Sequence, residues 1–317
     1  MALDKIEIGI SSCLLGEEVR YNGGHKLSRL CVNTLSDFFE YKPVCPEVGI
    51  GLGIPRKPIH LIGDSEKPRA VNVNDESIDV TDRLIKFSEQ TLPSLNTICG
   101  YIFIKGSPSC GLFKVKVYQK GNPHPEYSGR GIYANAVTKA MPLLPVEEAG
   151  RLTDPVLREN FIARVYAYHR WQLLLKEGLS AESILNFHAC YKYSLMAHAP
   201  QTYTALGQLL ADAGKYDPDE LGEKYFAKLM PALTKKATRK SNTNVLTHIQ
   251  GYLKKQLQVK EKEKLIEVIE QYRLGIIPLV VPVTLLQHHF NVHPNEYIAK
   301  QAFFDPYPQE LSLRNAI

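Results

Sequence analysis

No two cysteines in this 317-residue chain stand in a Cys-x-x-Cys spacing. That absence removes the local zinc-ribbon and thioredoxin-type readings, which need paired thiols close in sequence. Nor is any apolar run long enough to cross a bilayer. The longest candidate, "LGIIPLVVPVTLL", is short and carries two prolines. The first residues, "MALDKIEIGISSCLL", have no basic leader and set acids before the apolar stretch, so no secretory signal is expected and a cytoplasmic location is. Six cysteines in such a chain are thiols or metal ligands rather than disulfides. Any metal site must draw its ligands from distant parts of the sequence.

Acids are missing from one long stretch. Between Lys224 and Lys260 there is no Asp or Glu, while Lys228, Lys235, Lys236, Arg239, Lys240, Lys254 and Lys255 fall inside it. The formal net charge of +5 is modest, but this is a local field of one sign. It fits either a solvated helical face or a surface that meets phosphates. "LTKKATRKSNTN" mixes four cations with small polar residues, the make-up of a phosphate-contacting loop.

Up to about residue 145, strand-like and helix-like segments alternate. "KIEIGISS" reads as a strand ending in Ser11-Ser12-Cys13, "LSRLCVNTLSDFF" has helical spacing, and "EYKPVCPEVGIGLG" is a short strand entering a Pro- and Gly-rich loop. "PIHLIG" and "AVNVN" look like paired strands. "VTDRLIKFSEQTLPSL" is helical, with Thr81 or Asp82 as its cap, and "ICGYIFIKGSPSC" and "FKVKVYQ" are strands. The pattern predicts an α/β N-terminal domain, a layered sheet flanked by helices, with its working loops at one end. After Pro145 the spacing is helical throughout, starting with "VEEAGRLTDPVLRENF", where Asp154-Pro155 has the form of a helix start. An all-α C-terminal domain follows, giving domains at 1–148 and 149–317.

Cys13, Cys45 and Cys110 each follow a strand-like segment, at a turn rich in Gly, Pro or Ser: "SSCLLG", "VCPEVG" and "GSPSCG". Strand ends at one edge of an open α/β sheet converge, so these three loops could share a site. Small flanking residues let a bulky group approach the backbone, and Gly106 and Gly111 are read as giving it room. Three thiolates suit several metals. Structural zinc wants a fourth ligand, whereas a [4Fe–4S] cluster on three cysteines leaves one iron open as a Lewis acid. The alternative is three buried small apolar residues, the reading given to Cys31, Cys99 and Cys190. Glu47, in "CPE", is a candidate proton donor or base, or a loop glutamate paired with Arg20 or Arg56. Ser107 and Ser109 are hydrogen-bond donors to substrate or turn residues.

Together, "SSCLLGEEVRYNGG", "PVCPEVGIGLGIPR" and "GSPSCG" resemble the signature segments of the TudS-like thiouracil desulfidase family, over roughly residues 5–145. "FHACYKYSLMAHAPQTYTALGQLLA" resembles the YbgA-like domain, which covers the helical remainder, and the fused architecture is similar to RudS-type tRNA 2-thiouridine desulfidases. The resemblance implies a [4Fe–4S] cluster on Cys13, Cys45 and Cys110, whose open iron takes the sulfur of a 2-thiopyrimidine. It places Glu47 and Ser107 at proton-transfer positions. Arg20, Tyr21, Asn22 and Ser109 become candidate substrate contacts, with a structural turn as the competing reading of "VRYNG". A tRNA carrying 2-thiouridine becomes the expected partner, with Lys235, Lys236, Arg239, Lys240, Lys254 and Lys255 as candidate RNA contacts; no membrane and no obligate protein partner are expected. Action on free 2-thiouracil-type bases, or RNA binding around a structural or sensing cluster, are the alternatives. His188, Tyr191, Lys192, Tyr193 and His198, with His169 and Trp171, either stack an unpaired base or form a helix–helix core with polar tips.

Overall fold

The computed structural model describes residues 5–119, 121–122 and 124–316. The chain divides into two compact units, one ending at Asp154 and the other beginning at Pro155. The first runs β1 (Ile6–Ser11), α1 (Arg29–Asn33), β2 (Phe39–Val44), α2 (Pro46–Gly49), β3 (Ile59–Ile62), β4 (Arg69–Asn72), α3 (Thr81–Thr91), β5 (Tyr101–Phe103), β6 (Val115–Tyr118), β7 (Glu126–Gly129), α4 (Ile132–Ala140) and β8 (Val146–Glu148).

"IEIGIS" lacks clean alternation because β1 is a central strand, buried along nearly its whole length. It pairs in parallel with β2, ending at Ser11 opposite Val44, and in parallel with β5 on its other side. β8 pairs in parallel with β5, so the order is β2-β1-β5-β8. The chain leaves β1 towards β2 and returns on the opposite flank at β5. That reversal makes a topological switch point, and a crevice opens beyond the carboxyl ends of the strands there. A second sheet, in the order β4-β3-β6-β7, contains the expected pair of "PIHLIG" and "AVNVN", which the structure shows to be antiparallel. Leu61, Ala70, Leu84 and Val117 form part of its core.

Three features differ from the sequence reading. Val146–Glu148, read as the start of the helical region, is a strand, and the first unit extends to Asp154 rather than 148. Three residues carry no periodicity, and the two glutamates disguised a buried segment. Glu148 is 1% exposed because its Oε1 accepts hydrogen bonds from the amides of Leu112 (3.1 Å) and Phe113 (3.0 Å). β7 and α4 lie in a stretch to which the sequence reading assigned no element. The amide of Thr81 at the start of α3 is met by neither Thr81 nor Asp82, but by Asp79 Oδ1 at 2.8 Å.

The second unit contains α5 (Pro155–Glu177), α6 (Ala181–His198), α7 (Pro200–Ala211), α8 (Pro218–Thr234), α9 (Arg239–Gln250), α10 (Val259–Arg273), α11 (Val280–Val292) and α12 (Glu296–Ala299). No strand occurs among its described residues. α6 and α9 open with reciprocal capping boxes, Ser180 with Ser183 and Thr238 with Ser241. Val245, Leu246, Ile249, Leu265 and Leu286 build the main core. The aromatic group around α6 is largely packed core. Trp171 stacks on Phe226 with centroids 4.8 Å apart, and His188 stacks on Tyr203 at 5.7 Å. Among the described residues no helix is long and apolar enough to cross a membrane.

Candidate functional site

Three neighbouring strands of the first sheet deliver the three cysteine loops. β1 runs into Cys13, β2 into Cys45, and β5 into the loop that ends at Cys110. All three thiols line one cavity of about 260 Å³, together with Arg20, Glu47, Arg56 and Ser107. Local geometry holds each loop. Gly106 takes φ +72°, a conformation that glycine adopts freely. Ser107 Oγ then accepts from the amides of Ser109 (3.2 Å) and Cys110 (3.1 Å). Gly131 closes behind: a Cβ there would lie 2.5 Å from the Ser109 carbonyl. Gly111, read as giving a bound group room, does not face the cavity. Its missing side chain admits Val115 and the Ser107 carbonyl instead.

The thiols feel one another. Burial pushes Cys110 well above its ordinary pKa, and the neighbouring Cys45, Glu47 and Cys13 add to the rise, with a hydrogen bond from Ser11 opposing it. Cys13 is pushed up to about 11, chiefly by burial and then by Cys45, while Arg20 pulls the other way. Cys45 is raised by burial, and the backbone amides of Val48 and Glu47 partly offset this. Such a set resists carrying three negative charges by itself and favours a positively charged occupant. Among the described residues no three His, Cys, Asp or Glu side chains are placed to hold a single metal ion. The three thiols surround a cavity instead.

Glu47 is the polar hub. Its Oε2 accepts two hydrogen bonds from Arg56, from Nη2 at 2.8 Å and Nε at 3.0 Å. The pair is nearly dry, with side-chain exposures of 6% and 14%. Its Oε1 accepts from Ser109 Oγ at 3.0 Å and, at the limit of such a bond, from Ser107 Oγ at 3.5 Å. The pairing of Glu47 with Arg56 is therefore present, and it leaves the other carboxylate oxygen facing the serines.

The remaining candidates divide. Arg20 and Tyr21 line the cavity, and the guanidinium of Arg20 lies 5.6 Å from the Tyr21 ring centroid. Asn22 does not line it; its Oδ1 accepts from the Gly24 amide at 3.2 Å, as a turn residue does. Ser109 has no solvent exposure and holds Glu47 rather than facing the cavity. In the second unit, Lys235, Lys236, Lys240, Lys254 and Lys255 are exposed. Arg239 is exposed as well, and it also braces the fold, donating to the Tyr272 carbonyl at 3.2 Å and lying over the Tyr272 ring. The sequence reading passed over Lys105, which lines the cavity, and Tyr101 and Tyr133, buried phenols whose titration Cys110 influences. The two phenols interact with each other, and burial is the main cause that raises both. No local motif marks these two tyrosines. Only the strand order brings them beside Cys110.

Fold and site together define an α/β protein with a three-thiol crevice at the carboxyl edge of a parallel sheet. Residues 8–149 match a family described as 2-thiouracil desulfurase, and residues 192–308 match one described as protein of unknown function, DUF1722. The chain is 33% identical over 138 residues to the uncharacterized protein YbbK of Bacillus subtilis (strain 168), spanning 42% of this chain and 86% of that one. It is 28% identical over 159 residues to the uncharacterized protein YbgA of Escherichia coli (strain K12), spanning 50% and 94%. A solved structure, the [4Fe-4S]-dependent thiouracil desulfidase TudS, is 26% identical with a TM-score of 0.40, over 47% of this chain and 95% of that one. Through residues 8–149 the chain belongs to the 2-thiouracil desulfurase family.

Proposed function

We propose that this protein is an iron–sulfur-dependent desulfidase that removes sulfur from 2-thiouridine in tRNA, leaving uridine and releasing sulfide. One observation carries the reading: three thiols from three separate loops meet at one cavity, beside a carboxylate anchored by Arg56 and Ser109. The residues fit a [4Fe–4S] cluster held by Cys13, Cys45 and Cys110. The donors are all sulfur, and their mutual repulsion is relieved by a cationic group. When bound, a cluster with one open iron supplies a Lewis acid for a thiocarbonyl sulfur.

The chain's own residues move the protons. Glu47 Oε1 takes a proton from the water that adds to C2 of the base, while Arg56 keeps Oε2 fixed. Ser107, at the cavity wall, passes a proton towards the departing sulfur. The C2–O bond forms as the C2–S bond breaks. Thiouridine and water become uridine and hydrogen sulfide, with no electrons gained or lost. Arg20 and Lys105 line the same cavity and are the cations available there to the phosphates that flank the base.

The tRNA assignment rests on the acid-free basic stretch from Lys224 to Lys260, all nine of whose cations are exposed, and the same assignment implies a cytoplasmic location. The family description favours a second reading, action on the free base. Anaerobic reconstitution followed by nucleoside analysis of thiolated tRNA decides between them. Loss of 2-thiouridine with a matching gain of uridine supports the proposal. Turnover of free 2-thiouracil with the tRNA unchanged replaces it with the second reading, and no turnover of either removes both.

A further inference from the structure

The helical unit contains a cavity of about 230 Å³ that the desulfidase chemistry does not use. Every residue lining it belongs to the unit that begins at Pro155. Three guanidinium groups reach it: Arg164 on α5, Arg239 in the first turn of α9, and Arg314 near the C-terminus. The wall supplies one carboxylate, Glu159.

That carboxylate is already engaged. Glu159 Oε1 accepts from the Tyr307 hydroxyl at 3.1 Å and stands 3.7 Å from Arg314 Nε. The latter separation is an ion pair without a hydrogen bond, and Arg314 Nε is buried with no hydrogen-bond partner among the described residues. Arg239 spends Nη1 on neutral main-chain carbonyls, which leave its charge in place. Arg164 Nε donates to Asn160 Oδ1 at 3.0 Å, one of the interactions that this residue makes. Leu233, Leu279 and Phe303 make the rest of the wall apolar.

We propose that this cavity is a binding site for a small organic phosphate, a monoester whose anionic head meets the arginines while a compact apolar body lies against Phe303 and the leucines. Guanidinium forks match phosphate oxygens in geometry as well as charge. The volume lies below the roughly 300 Å³ at which pockets for drug-sized ligands begin, so the body is small. Arg239 is exposed, but Asn160 and Arg164, only 6% and 9% exposed, stand too deep for a continuous polynucleotide backbone, which argues for a small ligand over RNA.

Calorimetric titration of the full-length protein with inorganic phosphate, phenyl phosphate and phenol, at matched ionic strength in chloride, tests this. Saturable binding of both phosphates is expected, tighter for phenyl phosphate, with none for phenol. Arg314→Gln is expected to weaken binding about tenfold or more. Ala237→Glu places an acid at the same wall while deleting no arginine contact, and is expected to do the same with thermal unfolding unchanged. Two results would overturn the proposal: no saturable binding of either phosphate, or undiminished binding in a folded Ala237→Glu protein. Displacement of phenyl phosphate by intact tRNA in a one-to-one manner would reassign the cavity to an RNA end.

Discussion

Ser109 donates its hydroxyl to Glu47 Oε1 at 3.0 Å from a position with no solvent exposure. A buried neutral donor on a carboxylate fixes where the carboxylate points. Arg56 fixes the other oxygen, so Glu47 meets the cavity in one orientation. Replacing Ser109 by Ala is expected to lower turnover of the reconstituted enzyme about ten- to hundredfold, the worth of a hydrogen bond to a charged group, with KM little changed. Steady-state kinetics check it; parental turnover in Ser109→Ala would sink the positioning role.

Arg56 offers a stability test independent of any cofactor. Arg56→Met leaves the nearly dry Glu47 carboxylate without its cation, at an expected cost of about 3 kcal/mol. Urea unfolding of the cofactor-free protein measures it. Adding Glu47→Gln should recover much of the loss, because the uncompensated charge is then gone. A double variant as unstable as the single one would show that packing, not charge, is at stake.

Gly131 and Gly150 make a matched pair. A methyl at Gly131 collides with the backbone of Ser109 and Cys110, whereas one at Gly150 meets nothing within 4 Å. Gly131→Ala is expected to destabilise the protein by about 1–3 kcal/mol and to lower iron loading on reconstitution. Gly150→Ala should leave both unchanged. Thermal unfolding and iron analysis distinguish them.

Acid should loosen the helical unit. His198 has its pKa lowered from 6.5, chiefly by burial, with a hydrogen bond to the Lys235 carbonyl opposing the drop. Burial and then Lys192 lower that of His188. Below pH 6.5 the unfolded chain therefore binds more protons than the folded one, and stability falls with pH. Above 6.5 this contribution is complete. Unfolding temperatures at pH 7.5 and 5.5 should differ, and His198→Gln should narrow the gap.

The sequence carried the cysteine loops well because each lies beside glycine, proline or serine, where a strand visibly stops. The helix start at Pro155 was legible for the same reason, a cap followed by proline. β8 was not, because three residues show no period and its buried Glu148 looks like a surface acid until the amides of Leu112 and Phe113 are seen. Roles within the site were harder still. Ser107 and Ser109 are two residues apart and alike in the sequence, yet one lines the cavity and the other is sealed beneath it. The arginine cavity of the helical unit left no local trace, since its three cations come from segments 75 residues apart at both steps.

The strand order also has a consequence for the chain as a polymer. Cys13 and Cys110 stand 97 residues apart, with Cys45 between them. Any occupant bound to all three ties two successive loops that together span those 97 residues, in the manner of a covalent staple. Closing a loop of about 100 residues removes unfolded-chain entropy worth about 4–5 kcal/mol. Loading the crevice would thus bolt the sheet across its own seam.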